Sequence, residues 1–246
     1  MHREIRKAVL LAAGRGTRLG VLTTSTPKPL LDVAGIPIIE HIVRALYGTG
    51  IAEIAIVTGY LGEQIAEWAR GYVARNPGAR IQMVSQRELN GTGGALLTAR
   101  DFVADESAFI FGWGDILMSR ENYPRFVEAA CASDADLLLA VNHVNDPWRG
   151  GAVYVDADWR VRRIVEKPPR GTSTTNWNDA GLFAATELIW KYVATLRPSA
   201  RGELELPQSI AAMVDDGRDV RAIDVRGFWS DIGTPEDLAI ARRTFP

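Results

Sequence analysis

A disulfide framework and a zinc cluster are the first features this sequence lacks. Cys131 is its single cysteine, and its three histidines, His2, His41 and His143, are far apart, so neither covalent staples nor a histidine and cysteine metal site is indicated and a reducing compartment fits. Charge of one sign is lacking too. The 28 Lys and Arg against 30 Asp and Glu leave a net charge of −2, which excludes the strongly basic surface of a dedicated nucleic-acid binder and makes any anion site a local one. Long hydrophobic runs are missing as well. The opening MHREIRKAVLLAAGRG reaches glycine after a short apolar stretch, before it has the length of a signal peptide or a membrane span. The expectation is a cytoplasmic protein that binds neither membrane nor nucleic acid. With no linker, repeat or low-complexity segment, residues 1–246 are predicted to form one domain, large enough to bury a substantial core.

What is present is an alternation of apolar runs with amphipathic stretches. Lys7 to Ala13, Ala52 to Thr58, Arg80 to Ser85 and Ala108 to Phe111 read as strands. Pro37 to Tyr47 and Leu61 to Arg75 read as helices, the first with Ile38, Ile39, Ile42, Val43 and Leu46 on one stripe. That order predicts an α/β fold of three layers, Rossmann-like, with a mostly parallel central sheet covered by helices on both faces. After Gly150 the texture changes to short pieces, GAVYVD, RVRRIVEK and NDAGLFAA, which predict antiparallel strands that make the sheet mixed and build the second wall of a cleft. The polar GTSTTNW from Gly171 reads as a loop.

Directly after the first strand stands LAAGRGTRLG, residues 11–20, in which Gly14 and Gly16 allow a sharp turn whose amides converge on an anion. A dinucleotide-binding G-x-G-x-x-G would need glycine where Leu19 stands, and a Walker loop would need G-K-[ST] shortly after, which is missing. Arg18 offers a planar fork to phosphate oxygens. Lys28, held between Pro27 and Pro29 in STPKPLL, offers a compact charge, and together they suit a triphosphate and its departing pyrophosphate. The alternative is a turn with two solvated cations.

LAAGRGTRLG followed by TPKPLLDVAGIPIIEH resembles the signature of the sugar-1-phosphate nucleotidylyltransferases, or NDP-sugar pyrophosphorylases, and the similarity continues to the C-terminus. The resemblance implies that Leu11, Ala12, Ala13, Gly14, Gly16 and Thr17 wrap the nucleotide, that Arg18 contacts its phosphates and that Lys28 lies along the reacting ones. It places nucleotide binding in about residues 1–115 and sugar-phosphate binding in about residues 116–246. Val21 stands where many members have proline.

Gln86, Gly91 and Thr92 lie in QRELNGTGGAL, where an amide and a backbone group at this spacing suit a base edge. By resemblance they recognise a pyrimidine, favouring UTP or dTTP, although GTGGAL also resembles guanylyl members. Asp115 in FIFGWGDIL follows a buried strand, where open α/β sheets place ligands, and a hard carboxylate there suits Mg²⁺. It matches the family's metal aspartate, and Asp231 in FWSDIGTPEDL matches a second one, although SD before a helix also reads as a cap. Trp113 reads as packing. In VEKPPRG, Glu166 and Lys167 are expected to point to opposite faces of a strand. The resemblance assigns Glu166 to sugar hydroxyls and Lys167 to the sugar phosphate, and Gly151 is expected to bring a backbone amide close to the sugar. Asn178 and Asp179 join them, with Asp179 a departure, since many members carry an amide or threonine there.

The implied reaction joins a nucleoside triphosphate to a sugar 1-phosphate with Mg²⁺ as cofactor, and family members are often homo-oligomers. Other readings are guanylyl transfer to a mannose- or heptose-type 1-phosphate, cytidylyl transfer to an alcohol phosphate, and a nucleotide-sugar-sensing subunit without activity. A hydride-transferring dinucleotide enzyme is disfavoured by Leu19. With the motifs running close to Pro246, no appended acyltransferase domain is expected.

Overall fold

The computed structural model describes residues 3–246. Its layers follow from alternation along the first strand. In β1 (Lys7–Ala12), Ala8, Leu10 and Ala12 pack on one side while Val9 and Leu11 pack on the other, so this strand needs a cover on both faces. The chain continues through a two-residue ladder of β2 (Asp32–Val33) and β3 (Ile36–Pro37) into α1 (Ile38–Tyr47), β4 (Glu53–Thr58) and α2 (Gly62–Arg75). Then come β5 (Arg80–Ser85), α3 (Thr92–Thr98), β6 (Ala108–Trp113), β7 (Leu117–Met118), α4 (Asn122–Ala132) and β8 (Leu137–His143). The hairpin of β9 (Gly151–Val155) and β10 (Val161–Glu166) leads to β11 (Trp177–Thr186), α5 (Ile189–Val193) and α6 (Leu206–Asp215). The last elements are β12 (Val220–Asp224), β13 (Trp229–Ser230) and α7 (Pro235–Thr244). The apolar stripes of α1, α2, α4 and α7 cover the Leu10 face, and those of α3, α5 and α6 cover the Leu11 face. No helix among the described residues is long and apolar enough to cross a membrane.

Topology decides where a ligand can sit. β1 pairs in parallel with β4 and β6, and β4 with β5, so the chain winds outward to β5 and then returns to lay β6 on the other side of β1. Connections leave β1 and β6 in opposite directions, and a crevice opens at their carboxyl ends. β11 runs antiparallel to β6, with Leu182 opposite Gly112, so its first residues project beyond the point where β6 ends. On that vacated edge Asn178 pairs with Ala152 of β9, which sets the β9 and β10 hairpin over the crevice as its second wall. β8 and β12 extend the sheet beyond β11, as a parallel pair that the sequence pattern did not single out. Strand and helix ends otherwise fall within two residues of expectation, with β6 running on to Trp113.

Candidate active site

A cleft of about 870 Å³ follows the crevice from the glycine loop to the β9 and β10 wall, and it is lined by every residue singled out from the sequence except Ala12. Ala12 is the correction. It lies in the strand with its side chain in the core on the Leu10 face, while Leu11 and Ala13 reach the cleft. Gly16 adopts φ 63°, and a Cβ on it would lie 3.2 Å from both Lys28 Cβ and Thr23 Cγ2, so glycine lets the loop close over the lysine stem. The Thr23 hydroxyl donates to the Gly16 carbonyl at 3.0 Å and locks that turn.

Lys28 is the centre of the glycine-loop end. Its side chain is only 7% exposed, and its Nζ lies 2.7 Å from Asp115 Oδ2 and 2.5 Å from the Asp231 carbonyl oxygen. These two oxygens offset the cost of taking the ammonium out of water. Arg18 Nη2 stands 3.8 Å from Asp231 Oδ2, and glycine at 233 leaves room for its guanidinium, which a Cβ there would approach to 2.9 Å. Asp231 is not the cap of the following helix. Thr234 is, its hydroxyl accepting the Asp237 N–H at 3.2 Å, which leaves both Asp231 and Asp115 as partly exposed carboxylates on the cleft. Two hard oxygen donors on one cleft fit a hydrated Mg²⁺, which takes one or two protein carboxylates and completes its shell with water and phosphate.

Along the same cleft, at the start of α3, Gln86 is buried, and its Nε2 donates to the Gly91 carbonyl at 3.1 Å and to Asn90 Oδ1 at 3.0 Å. A carbonyl can only accept, so this contact fixes the amide orientation and leaves Oε1 as the acceptor for a ligand. Gly91 has φ 104°, and a Cβ on it would meet the Leu204 backbone at 2.7 Å. Thr92 lines the cleft, but its hydroxyl accepts the Leu206 N–H at 3.0 Å and so joins this loop to the start of α6.

At the far wall the expectation for Glu166 and Lys167 fails. β10 ends at Glu166, and Lys167 takes φ 44°, so the alternation of a strand no longer applies. The Lys167 ammonium comes round to 3.4 Å from Glu166 Oε1, and both side chains line the same cleft. Burial pushes the Glu166 carboxyl above its ordinary range, and Lys167 and Arg201 pull it only part of the way back. Asp179 is buried, and burial lifts its carboxyl to about 7; the Gly181 N–H, bonded to Oδ1 at 2.7 Å, lowers it, and Glu166 raises it further. Gly151 separates these two acids: a Cβ there would lie 3.3 Å from Asp179 Cβ and 3.6 Å from Glu166 Oε2. Asn178 donates to Asn142 Oδ1 at 3.0 Å, and its own Oδ1 would clash at 2.3 Å with a Cβ on Gly150. Trp113 packs edge-on against Phe183, with ring centroids 5.5 Å apart, as expected of a packing residue.

Arg201 and Glu205 also line this wall and were not found from the sequence. Arg201 lies 2.6 Å from Glu205 Oε1 and 3.7 Å from Glu166 Oε1. Burial works against ionised Glu205, yet the Ser199 hydroxyl and the Arg201 guanidinium hold it below its ordinary value. In RGELEL nothing separates them from a solvated turn before a helix; only the docking of α6 on β10 brings them to the site.

Comparison with known proteins shows the family and the fold. The family model described as nucleotidyl transferase matches residues 7–245. The bifunctional protein GlmU of Methanococcus maripaludis is 32% identical over 238 residues, 97% of this chain and 54% of that protein, so the chain spans about half the length of this relative. The UTP–glucose-1-phosphate uridylyltransferase AglF of Haloferax volcanii is 32% identical over 94% of this chain and 93% of its own. Among solved structures, a putative glucose-1-phosphate thymidylyltransferase from Bacillus anthracis superposes with a TM-score of 0.84 at 28% identity, covering 96% of this chain and 94% of that one. UDP-glucose pyrophosphorylase complexed with UDP-glucose superposes with a TM-score of 0.87 over 98% of both chains at 20% identity, a likeness of fold.

Proposed function

The chain belongs to the nucleotidyl transferase family, and from that premise we propose that it transfers a nucleotidyl group from a nucleoside triphosphate to a sugar 1-phosphate, releasing pyrophosphate and an NDP-sugar. One observation carries the reading. The phosphate end, with the glycine loop, Arg18, Lys28 and the two aspartates, and the acceptor wall, with Glu166, Lys167, Asn178 and Asp179, line a single cleft. UTP or dTTP is the favoured donor, because Gln86 Oε1 can accept the imide N–H of uracil or thymine while the Gly91 backbone N–H serves a neighbouring carbonyl.

In this reaction an oxygen of the sugar phosphate attacks the α-phosphorus in line, one P–O bond forms, and the bond from the α-phosphorus to the bridging oxygen breaks as pyrophosphate leaves. The nucleophile is already an anion, so no protein nucleophile or base is needed. Alignment and neutralisation of charge remain. The loop through Gly14 and Gly16 orients the triphosphate, Lys28 and Arg18 offset charge on the departing group, and Lys167 holds the acceptor phosphate. Asp115 and Asp231 would hold Mg²⁺, which when bound supplies further neutralisation of the phosphates.

The test is pyrophosphate release by the purified chain over a grid of nucleoside triphosphates and sugar 1-phosphates, with Mg²⁺ or with EDTA, and with Asp115→Ala beside the native protein. Release is expected with UTP or dTTP in the presence of Mg²⁺ and not with EDTA or the variant. Equal release with EDTA would overturn the metal assignment; a grid with no active pair would overturn the function.

A further inference from the structure

Asp179 is a poorly compensated carboxylate of the acceptor wall. It is 9% exposed, its Oδ1 takes one backbone N–H, and among the described residues no ion pair reaches it. Two cations of this wall pair with other carboxylates: Lys167 lies 3.4 Å from Glu166, and Arg201 lies 2.6 Å from Glu205 and 3.7 Å from Glu166. Asp179 Oδ2 has no protein partner, and the residue lines the cleft, so that oxygen is presented to whatever fills it. Glu166 Oε2 stands on the other side of Gly151, 3.6 Å from where a Cβ would be. On this wall Asp146, Glu166, Asp179, Glu203 and Glu205 line the cleft against Arg149, Lys167 and Arg201, so acids still outnumber bases.

An acceptor that brings only hydroxyls and a phosphate would bury its anion beside this acidic surplus and leave Asp179 uncompensated. A sugar ammonium would compensate both carboxylates at once through charge-assisted hydrogen bonds, and an amide would not have sufficed for that. Resting on the sugar-1-phosphate reading, we propose that the acceptor carries a free amino group, and that Asp179, with Glu166 across Gly151, selects it.

The experiment measures kcat/KM for pyrophosphate release with glucose 1-phosphates bearing an amine at C2, C3, C4 or C6 in turn, each beside the parent hydroxyl sugar and the N-acetylated amine. N-acetylation keeps the nitrogen and removes the charge. For one position the amine is expected to exceed both neutral partners by roughly 10-fold or more, the effect of one charge-assisted bond, and Asp179→Asn is expected to bring that ratio to about 1. Each ratio compares two acceptors on one enzyme, so it does not depend on the fraction of variant that folds. Turnover of neutral sugars with no amine preferred at any position would overturn the inference and leave the nucleotidyl transfer standing, as would a preference that survives in Asp179→Asn. No turnover with any acceptor would remove the function on which the inference rests.

Discussion

Replacing Asp179 by Asn should stabilise the protein, and by an amount that depends on pH. Burial, the Gly181 N–H and the neighbouring Glu166 together place the Asp179 carboxyl at about 7 in the folded chain, against an ordinary 3.8. A raised acid favours folding only while protonated. Its contribution is therefore fully present below pH 3.8 and is lost as pH rises through 7, which amounts to about 4 kcal/mol at pH 8 at 1.36 kcal/mol per tenfold change in proton affinity. Asn keeps the shape and the acceptor for Gly181 but does not titrate, so the difference between variant and native isolates this group from other carboxylates. Thermal melts of both proteins between pH 4 and pH 8 should agree at the acid end and diverge toward neutrality, with the variant higher by on the order of 10 °C at pH 8. A melting difference that stays constant with pH, or a variant that is less stable at pH 8, would refute the assignment of an uncompensated carboxyl to this wall.

Three further outcomes are expected. Lys28→Met keeps the buried stem and removes the charge, and should lower kcat for pyrophosphate release by about 10²- to 10³-fold with a smaller change in KM, measured at saturating triphosphate; near-native turnover would mean the ammonium serves only to hold Asp115. Gly16→Ala forces alanine into φ 63° and against Lys28, and should cost about 1–2 kcal/mol in urea unfolding and raise KM for the triphosphate, whereas an unchanged unfolding midpoint would show that the loop has room to adapt. Thr92→Val removes the hydroxyl that accepts the Leu206 N–H at 3.0 Å, so stability should fall by about 1 kcal/mol and KM for both substrates should rise together; a rise for the triphosphate alone would assign Thr92 to the nucleotide only.

The sequence was most legible where local chemistry and position coincide. β1, β4 and β6 show as apolar runs because they are buried on both faces, and Gly16 and Gly91 show because their positive φ values admit little else. Lys28 was found through its flanking prolines. Its pairing with Asp115, 87 residues away, was not, because only the parallel order of β1 and β6 brings the segments that follow those strands together. The error at Lys167 has a plain origin: alternation was carried one residue past the end of β10, into a left-handed turn that no pattern in EKPP declares. Ala12 failed for the opposite reason, since a motif marks its backbone neighbourhood while strand alternation sends its side chain to the core. Arg201 and Glu205 were invisible because their importance comes wholly from where α6 docks.

Three hydrogen bonds explain how a cleft built from distant parts of the chain can hold two mutually repelling anions in register. Leu204 N–H donates to the Asn90 carbonyl at 2.7 Å, Gly93 N–H donates to the Leu204 carbonyl at 2.7 Å, and Leu206 N–H donates to Thr92 at 3.0 Å. The loop that carries Gln86, Asn90 and Gly91 is thus bonded to the segment that carries Arg201 and Glu205, and through Arg201 to Glu166 on the acceptor wall. On the proposed function, the groups assigned to the base and to the sugar are then fixed relative to one another before either substrate arrives, and the alignment that in-line transfer requires would be set by folding instead of being assembled during binding. Arg18, 61% exposed at its side chain and tied to Asp231 only at 3.8 Å, lies outside that bonded frame. It is the cation best able to follow a phosphate group as it departs.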